Sequence, residues 1–117
     1  LFRSELPLDR ISGWVDEVDP EHWLVNGRPA AEALRTWSLA EVEVPVVEVS
    51  VVHGRPKQVL MHLVHEITAG LGHALGTPTD RIRVLVTQID ADLWGVGGLP
   101  YSAVRAEEMA NRARAGR

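Results

Sequence analysis

Two arginines carry the clearest chemical potential in this chain. Arg55 follows a run of β-branched residues and Gly54 and precedes Pro56, so its guanidinium stands at a strand-to-helix junction. There a planar fork can grip a carboxylate through paired hydrogen bonds, beside a helix N-terminus that also favours anions. A plain surface arginine, or one paired with a helix-end carboxylate, would fit the same position. Arg83 lies near the start of a second β-like run, where Ile82 and Val84 should face a core, so it projects from the other side of that strand. On its own it reads as a solvated strand residue. Trp94 adjoins Gly95-Val-Gly-Gly98, where an indole can wall an apolar pocket or simply pack on a turn.

The remaining polar candidates are weaker. His62, His65 and His73 fall on a helical stretch, and a pair spaced by three can share a face, but with no thiol and no evident acidic co-ligand they read as no metal site. His53, before Gly54, lies near a pocket without an identified partner base. Gly95–Gly98 lacks the lysine, the Ser/Thr and the helix spacing of a phosphate cradle, and reads as a tight turn.

Regular elements must hold these residues. Residues 46–52, Val-Val-Glu-Val-Ser-Val-Val, alternate around Glu48 and Ser50 as a half-buried strand does. Gly54 turns the chain, and Pro56 suits a first helical turn. Leu60, Leu63, Val64, Ile67, Leu71, Ala74 and Leu75 then follow at helical spacing until Gly76 and Pro78, about five turns at ~3.6 residues per turn, weakened slightly at Gly70 and Gly72. Ile82, Val84 and Val86 alternate towards Ile89 as a second strand. Strand, helix and strand make a βαβ unit with parallel strands and a right-handed crossover. Ser102–Arg114 predicts a short amphipathic helix.

The chain divides into 1–44 as an N-terminal extension, 45–98 as the βαβ core and 99–117 as a tail. The first part holds 4 basic and 9 acidic side chains and three of the four tryptophans, without a long periodic pattern. One short echo, Leu24-Val-Asn-Gly-Arg-Pro29 against Val51-Val-His-Gly-Arg-Pro56, is of a length that arises readily by chance. A core this small leaves sheet edges unpaired and should oligomerise.

With 117 residues, 45% hydrophobic, the sequence fits one domain with an appendage. The absence of cysteine removes disulfides, thiolate metal sites and thiol nucleophiles. Twelve Lys+Arg against 16 Asp+Glu give a net charge of −4, which supplies no basic field for nucleic acid. No apolar run approaches the ~20 residues that span a bilayer, and no secretory signal opens the chain, so the expectation is a cytoplasmic protein without membrane partners.

The constellation says more than its members: Pro45 opening a strand, Arg55 ten residues on, Arg83 twenty-eight further and Trp94-Gly-Val-Gly-Gly98 eleven beyond that. It closely resembles the 4-oxalocrotonate tautomerase family over residues 45–98. The resemblance implies an α/β fold in which parallel strands pair across a dimer into a four-stranded sheet with helices on one face, three dimers forming a homohexamer. It implies an isomerase that converts a 2-hydroxydienoate enol, such as 2-hydroxymuconate, to its ketone without metal or organic cofactor. Pro45 would be the base through the amine of an N-terminal proline, Arg55 would hold a carboxylate, Arg83 would reach the substrate oxygen from a neighbouring subunit, and Trp94 would wall the pocket. An α-amine titrates at about 7.7–8.0, and a nearby guanidinium and an apolar wall both push it down towards neutrality. A base with a pKa near working pH typically contributes roughly 10²–10⁴-fold. The arginines would stabilise the charge developing on the dienol oxygen.

In this chain Pro45 follows Val44 through a peptide bond, and an amide nitrogen is no base. Either processing or a start at Val44 exposes it, as the non-methionine Leu1 and the compositional break at 44 suggest, or the unit is a non-catalytic assembly or ligand-binding module. The haloacrylate-processing branch of the family needs an arginine and an acid where this chain has Val52 and Val96, which disfavours hydration chemistry. The longer, two-repeat tautomerases are set aside because residues 1–44 contain no second long helix pattern.

Overall fold

The computed structural model describes residues 12–116. A 3-10 turn at Pro20–His22 leads into a hairpin of β1 (Leu24–Val25) and β2 (Arg28–Pro29), then two one-turn helices, α1 (Ala30–Ala33) and α2 (Leu39–Val42). The βαβ unit follows: β3 (Val46–Val52), α3 (Lys57–Leu75) and β4 (Arg83–Ile89). A 3-10 turn at Thr79–Arg81 precedes β4, and a further one at Ala91–Leu93, a hairpin of β5 (Gly95–Val96) and β6 (Leu99–Pro100), and α4 (Tyr101–Ala115) follow it.

Strands β3 and β4 pair in parallel from Val46 opposite Arg83 to Val52 opposite Ile89, as the alternation anticipates. Along β3 the half-buried positions Val47, Val49 and Val51 alternate with exposed Val46, Glu48 and Ser50. Arg83, Leu85 and Thr87 are likewise exposed while Ile82 is buried. The expected helix is present with Pro56 as its cap rather than inside its first turn, and Gly76 ends it in the left-handed region at φ +66. α4 extends one residue beyond the expected helix at each end.

Gly72 corrects the expectation that it merely weakens α3. It is buried, and a Cβ there would lie 3.0 Å from Thr79 Cγ2 and 3.2 Å from the Thr77 carbonyl oxygen. The helix approaches the loop before β4 this closely only because the side chain is missing. Glycine costs a helix interior roughly 0.5–1 kcal/mol relative to alanine, and here that cost secures packing.

Packing within the chain is thin. Among the described residues the buried apolar side chains are Ala30, Val42, Leu60 and Ile82, and no large side chain is fully enclosed. The radius of gyration is 19.0 Å, against about 13 Å for a compact domain of this length. The accessible surface is 9458 Å², half as much again as the roughly 6300 Å² typical of a monomer of this size. A two-stranded sheet needs further strands or covering elements for independent stability. No helix among the described residues is long and apolar enough to cross a membrane.

Candidate active site

Pro45 is fixed from both sides. Its carbonyl accepts a hydrogen bond from the Arg83 amide at 2.9 Å, the first rung of the parallel ladder. Just before it, the Glu43 carboxylate accepts a hydrogen bond from the hydroxyl of Thr77, which is buried in the loop between α3 and β4. Val42, one residue earlier, is buried as well. The segment entering Pro45 is therefore part of the packed structure, and the proline nitrogen belongs to the Val44–Pro45 amide.

Arg83 shares this end of the sheet. Its guanidinium folds back on the loop before β4, with Nη1 donating to the Asp80 carbonyl at 2.8 Å and to the Ile82 carbonyl at 3.4 Å. The side chain stays exposed, on the face opposite buried Ile82.

Arg55 and Trp94 lie at the other end. The His53 amide donates to the Ile89 carbonyl at 2.7 Å and closes the ladder there. Gly54 then takes φ +130, a conformation rarely adopted by residues with a side chain, and this turns the chain so that Arg55 comes back to the strand. Arg55 is half-buried and its Nη1 donates to the Val52 carbonyl at 3.4 Å. Trp94 lines an open hollow of about 280 Å³ with Ser50, Ile89, Leu93 and Gly95. Ser50 and Ile89 read in the sequence only as strand positions, although alternation along β3 and β4 puts both on the face away from α3, beside Trp94.

The four residues thus form two pairs, Pro45 with Arg83 and Arg55 with Trp94, at opposite ends of seven-residue strands. At about 3.3 Å per residue the separation is about 20 Å, so a pocket using all four needs more than one chain. Among the described residues neither guanidinium meets a carboxylate, which removes the helix-end ion pair considered for Arg55. Glu66, passed over as a co-ligand in the sequence, comes within 4.0 Å of His62 on α3, one turn along the helix. His53 is exposed.

Comparison with known proteins bears on the βαβ unit and the segment that follows it. The family described as tautomerase enzyme matches residues 45–103. A 2-hydroxymuconate tautomerase from Pseudomonas sp. strain CF600 is 30% identical over 61 residues, covering 52% of this chain and 97% of that protein. The crystal structure of TomN, a 4-oxalocrotonate tautomerase homologue of the tomaymycin biosynthetic pathway, superposes with a TM-score of 0.52 at 34% identity, over 53% of this chain and 95% of TomN. A fused 4-OT, solved as a wild-type asymmetric trimer, matches in fold over 85% of this chain and 72% of its own, with a TM-score of 0.70 at 18% identity. Through the βαβ unit and the hairpin that follows it, the chain belongs to the tautomerase family.

Proposed function

We propose that the unit from Pro45 onward serves an isomerase that converts a small 2-hydroxydienoate, of the 2-hydroxymuconate type, to its ketone. The observation that carries this reading is Arg55: half-buried, turned back by Gly54, and without a carboxylate partner among the described residues, it suits a substrate carboxylate. Trp94 and its hollow supply an apolar wall at the same end of the sheet. Arg83, contributed by a neighbouring chain, would stabilise charge at the substrate oxygen. In the reaction the Pro45 nitrogen, once freed as an N-terminus, takes the enol hydroxyl proton and a proton is delivered to a substrate carbon, which leaves the atom count unchanged. The assembly would be a homohexamer of three dimers, each dimer joining two βαβ units into a four-stranded sheet. No cofactor takes part.

A second reading is favoured by the Glu43–Thr77 contact and buried Val42, which tie the residues before Pro45 into the fold. On that reading Pro45 stays acylated and the unit is a non-catalytic partner that lends Arg55, Arg83 and Trp94 to an assembly whose base lies elsewhere.

Enol ketonisation by the 117-residue chain and by a version beginning at Pro45 separates the two. Activity only in the shorter version supports the proline base. Activity in neither, with the oligomer verified by sedimentation, rejects the enzyme reading for this unit.

A further inference from the structure

The N-terminal hairpin repeats the C-terminal one residue for residue. At a constant offset of 71 positions, the turn Pro20–His22 corresponds to Ala91–Leu93, β1 to β5, β2 to β6, and the first residue of α1 to the first of α4. The pairings agree: Leu24 with Pro29 and Val25 with Arg28, against Gly95 with Pro100 and Val96 with Leu99. Asp19 caps the first turn by accepting from the Glu21 amide at 2.9 Å, and Asp90 accepts from the Asp92 amide at 2.9 Å. The Ala30 amide donates to the Trp23 carbonyl at 2.8 Å, and the Tyr101 amide to the Trp94 carbonyl at 2.7 Å. Asn26 and Gly27 take φ +52 and +77 where Gly97 and Gly98 take +61 and +86.

The sequence follows the same offset further back. Pro7, Asp9, Arg10, Ile11, Val15, Asp19, Trp23, Val25, Gly27 and Pro29 are identical to Pro78, Asp80, Arg81, Ile82, Val86, Asp90, Trp94, Val96, Gly98 and Pro100. That makes ten identities in twenty-three ungapped positions, spanning the stretch equivalent to β4. Residues 12–18 therefore correspond to strand β4, yet they form neither strand nor helix, and their apolar side chains stand in solvent. Val15 is 91% exposed where its counterpart Val86 is half-buried in the sheet, and Trp14 is 84% exposed.

We infer that residues 7–29 are the second half of another tautomerase-type unit, and that segment 12–18 is a strand whose parallel partner is a strand–helix segment of the β3–α3 kind in the same polypeptide. A right-handed βαβ connection joins such a pair within one chain, and tandem duplication accounts for both the fixed offset and the matching hydrogen bonds. The fused 4-OT fold accounts for 85% of this chain, whereas TomN covers 53%. In a tandem chain Pro45 opens the second unit and its nitrogen stays in an amide. Ser12 stands at the position of Arg83, so on the role proposed for Arg83 the two units furnish their sites unequally. Only this last consequence rests on the proposed function.

Hydrogen exchange on the natural full-length polypeptide, in its assembled state, tests the inference. Amides 13–18 should exchange on the order of 100-fold slower than in an unstructured peptide, alongside amides 84–89. Exchange at unstructured rates overturns the inference. Trp14→Pro removes the amide equivalent to that of Leu85, which in the β3–β4 register faces β3, and should weaken assembly as Leu85→Pro does; an unaffected assembly in the first case only would count against it. Should either variant fail to fold, the exchange pattern of the unsubstituted protein still decides. Intact mass and peptide mapping should find the strand–helix half ahead of residue 7; protected amides 13–18 in a polypeptide lacking that half would assign the partner strand to a second copy and refute the tandem origin. None of these readouts uses enzyme activity, so failure of the tandem inference is distinguishable from failure of the isomerase reading, while its success favours the second reading above, in which Pro45 stays acylated.

Discussion

Arg55 depends on its neighbour as much as on its own charge. Gly54 at φ +130 lets the guanidinium return to the end of β3, so the two residues work as one device. A charge-assisted hydrogen bond is worth about 1.5–3 kcal/mol. Arg55→Ala should therefore lower kcat/KM for a dicarboxylate enol by about 10–100-fold, measured in whichever version of the protein ketonises it. The loss should shrink for a substrate analogue that lacks the corresponding carboxylate, and an equal loss for both would argue against carboxylate binding. Thr77→Val addresses the other end of the sheet. It removes the only side-chain donor described for Glu43 and leaves that carboxylate partly buried, at a cost of about 1–3 kcal/mol in urea or thermal unfolding. An unchanged midpoint would mean that the contact contributes nothing and that the residues before Pro45 are held by packing alone.

At the scale of elements, α3 is placed by what it lacks. Its approach to the loop before β4 is set by Gly72, and the loop in turn holds Thr77 and leads to Ile82, the buried residue just before β4. Gly72→Ala gains helix propensity but drives a methyl group against the Thr77 carbonyl. We expect net destabilisation of about 1–3 kcal/mol, as for other overpacked sites. Gly70→Ala provides the control, because a Cβ there meets nothing within 4 Å, and it should be neutral or mildly stabilising. Thermal unfolding of the two variants side by side checks the assignment: equal shifts would remove the packing argument. The hairpins illustrate the opposite case, in which local chemistry alone fixes geometry. Asp at the cap, a two-residue turn of Asn or Gly at positive φ, and Pro before the helix recur in both copies and produce the same bonds.

For the whole molecule, the governing fact is the shortage of interior. A chain with four buried apolar side chains among its described residues, open edges on β3 and β4, and Leu85 52% exposed on the face away from α3 has apolar surface to give to partners. Stability should therefore rise with protein concentration, and the unfolding midpoint measured across a hundredfold dilution series should fall as the assembly dissociates. Leu85→Lys places a charge on that face and should shift sedimentation towards smaller species with α3 helicity largely kept. An assembly unaffected by the change would mean that this sheet face is not an interface.

The sequence alone determined the local elements and the family. Period-two alternation wrote β3 and β4, 3.6-residue spacing wrote α3, and the spacing of Pro45, Arg55, Arg83 and Trp94 identified the tautomerase resemblance, because each of these signals rests on near neighbours in the chain. The same reading took residues 1–44 for an N-terminal extension without a long periodic pattern. It compared Leu24–Pro29 with Val51–Pro56, six adjacent residues, when the informative match was ten identities scattered over twenty-three positions at another offset. A hairpin turn tolerates most residues outside its cap, its left-handed pair and its proline, so a true repeat of one is sparse in sequence and dense in hydrogen bonds. Only the tertiary structure decided three further points. It showed that Glu43 reaches Thr77 across 34 residues, that Gly72 is a contact rather than a weakness, and that the four candidate residues sit in pairs at the two ends of the sheet. Each of these depends on which distant segments meet, and that is set by the register of the parallel ladder and the packing of α3 upon it.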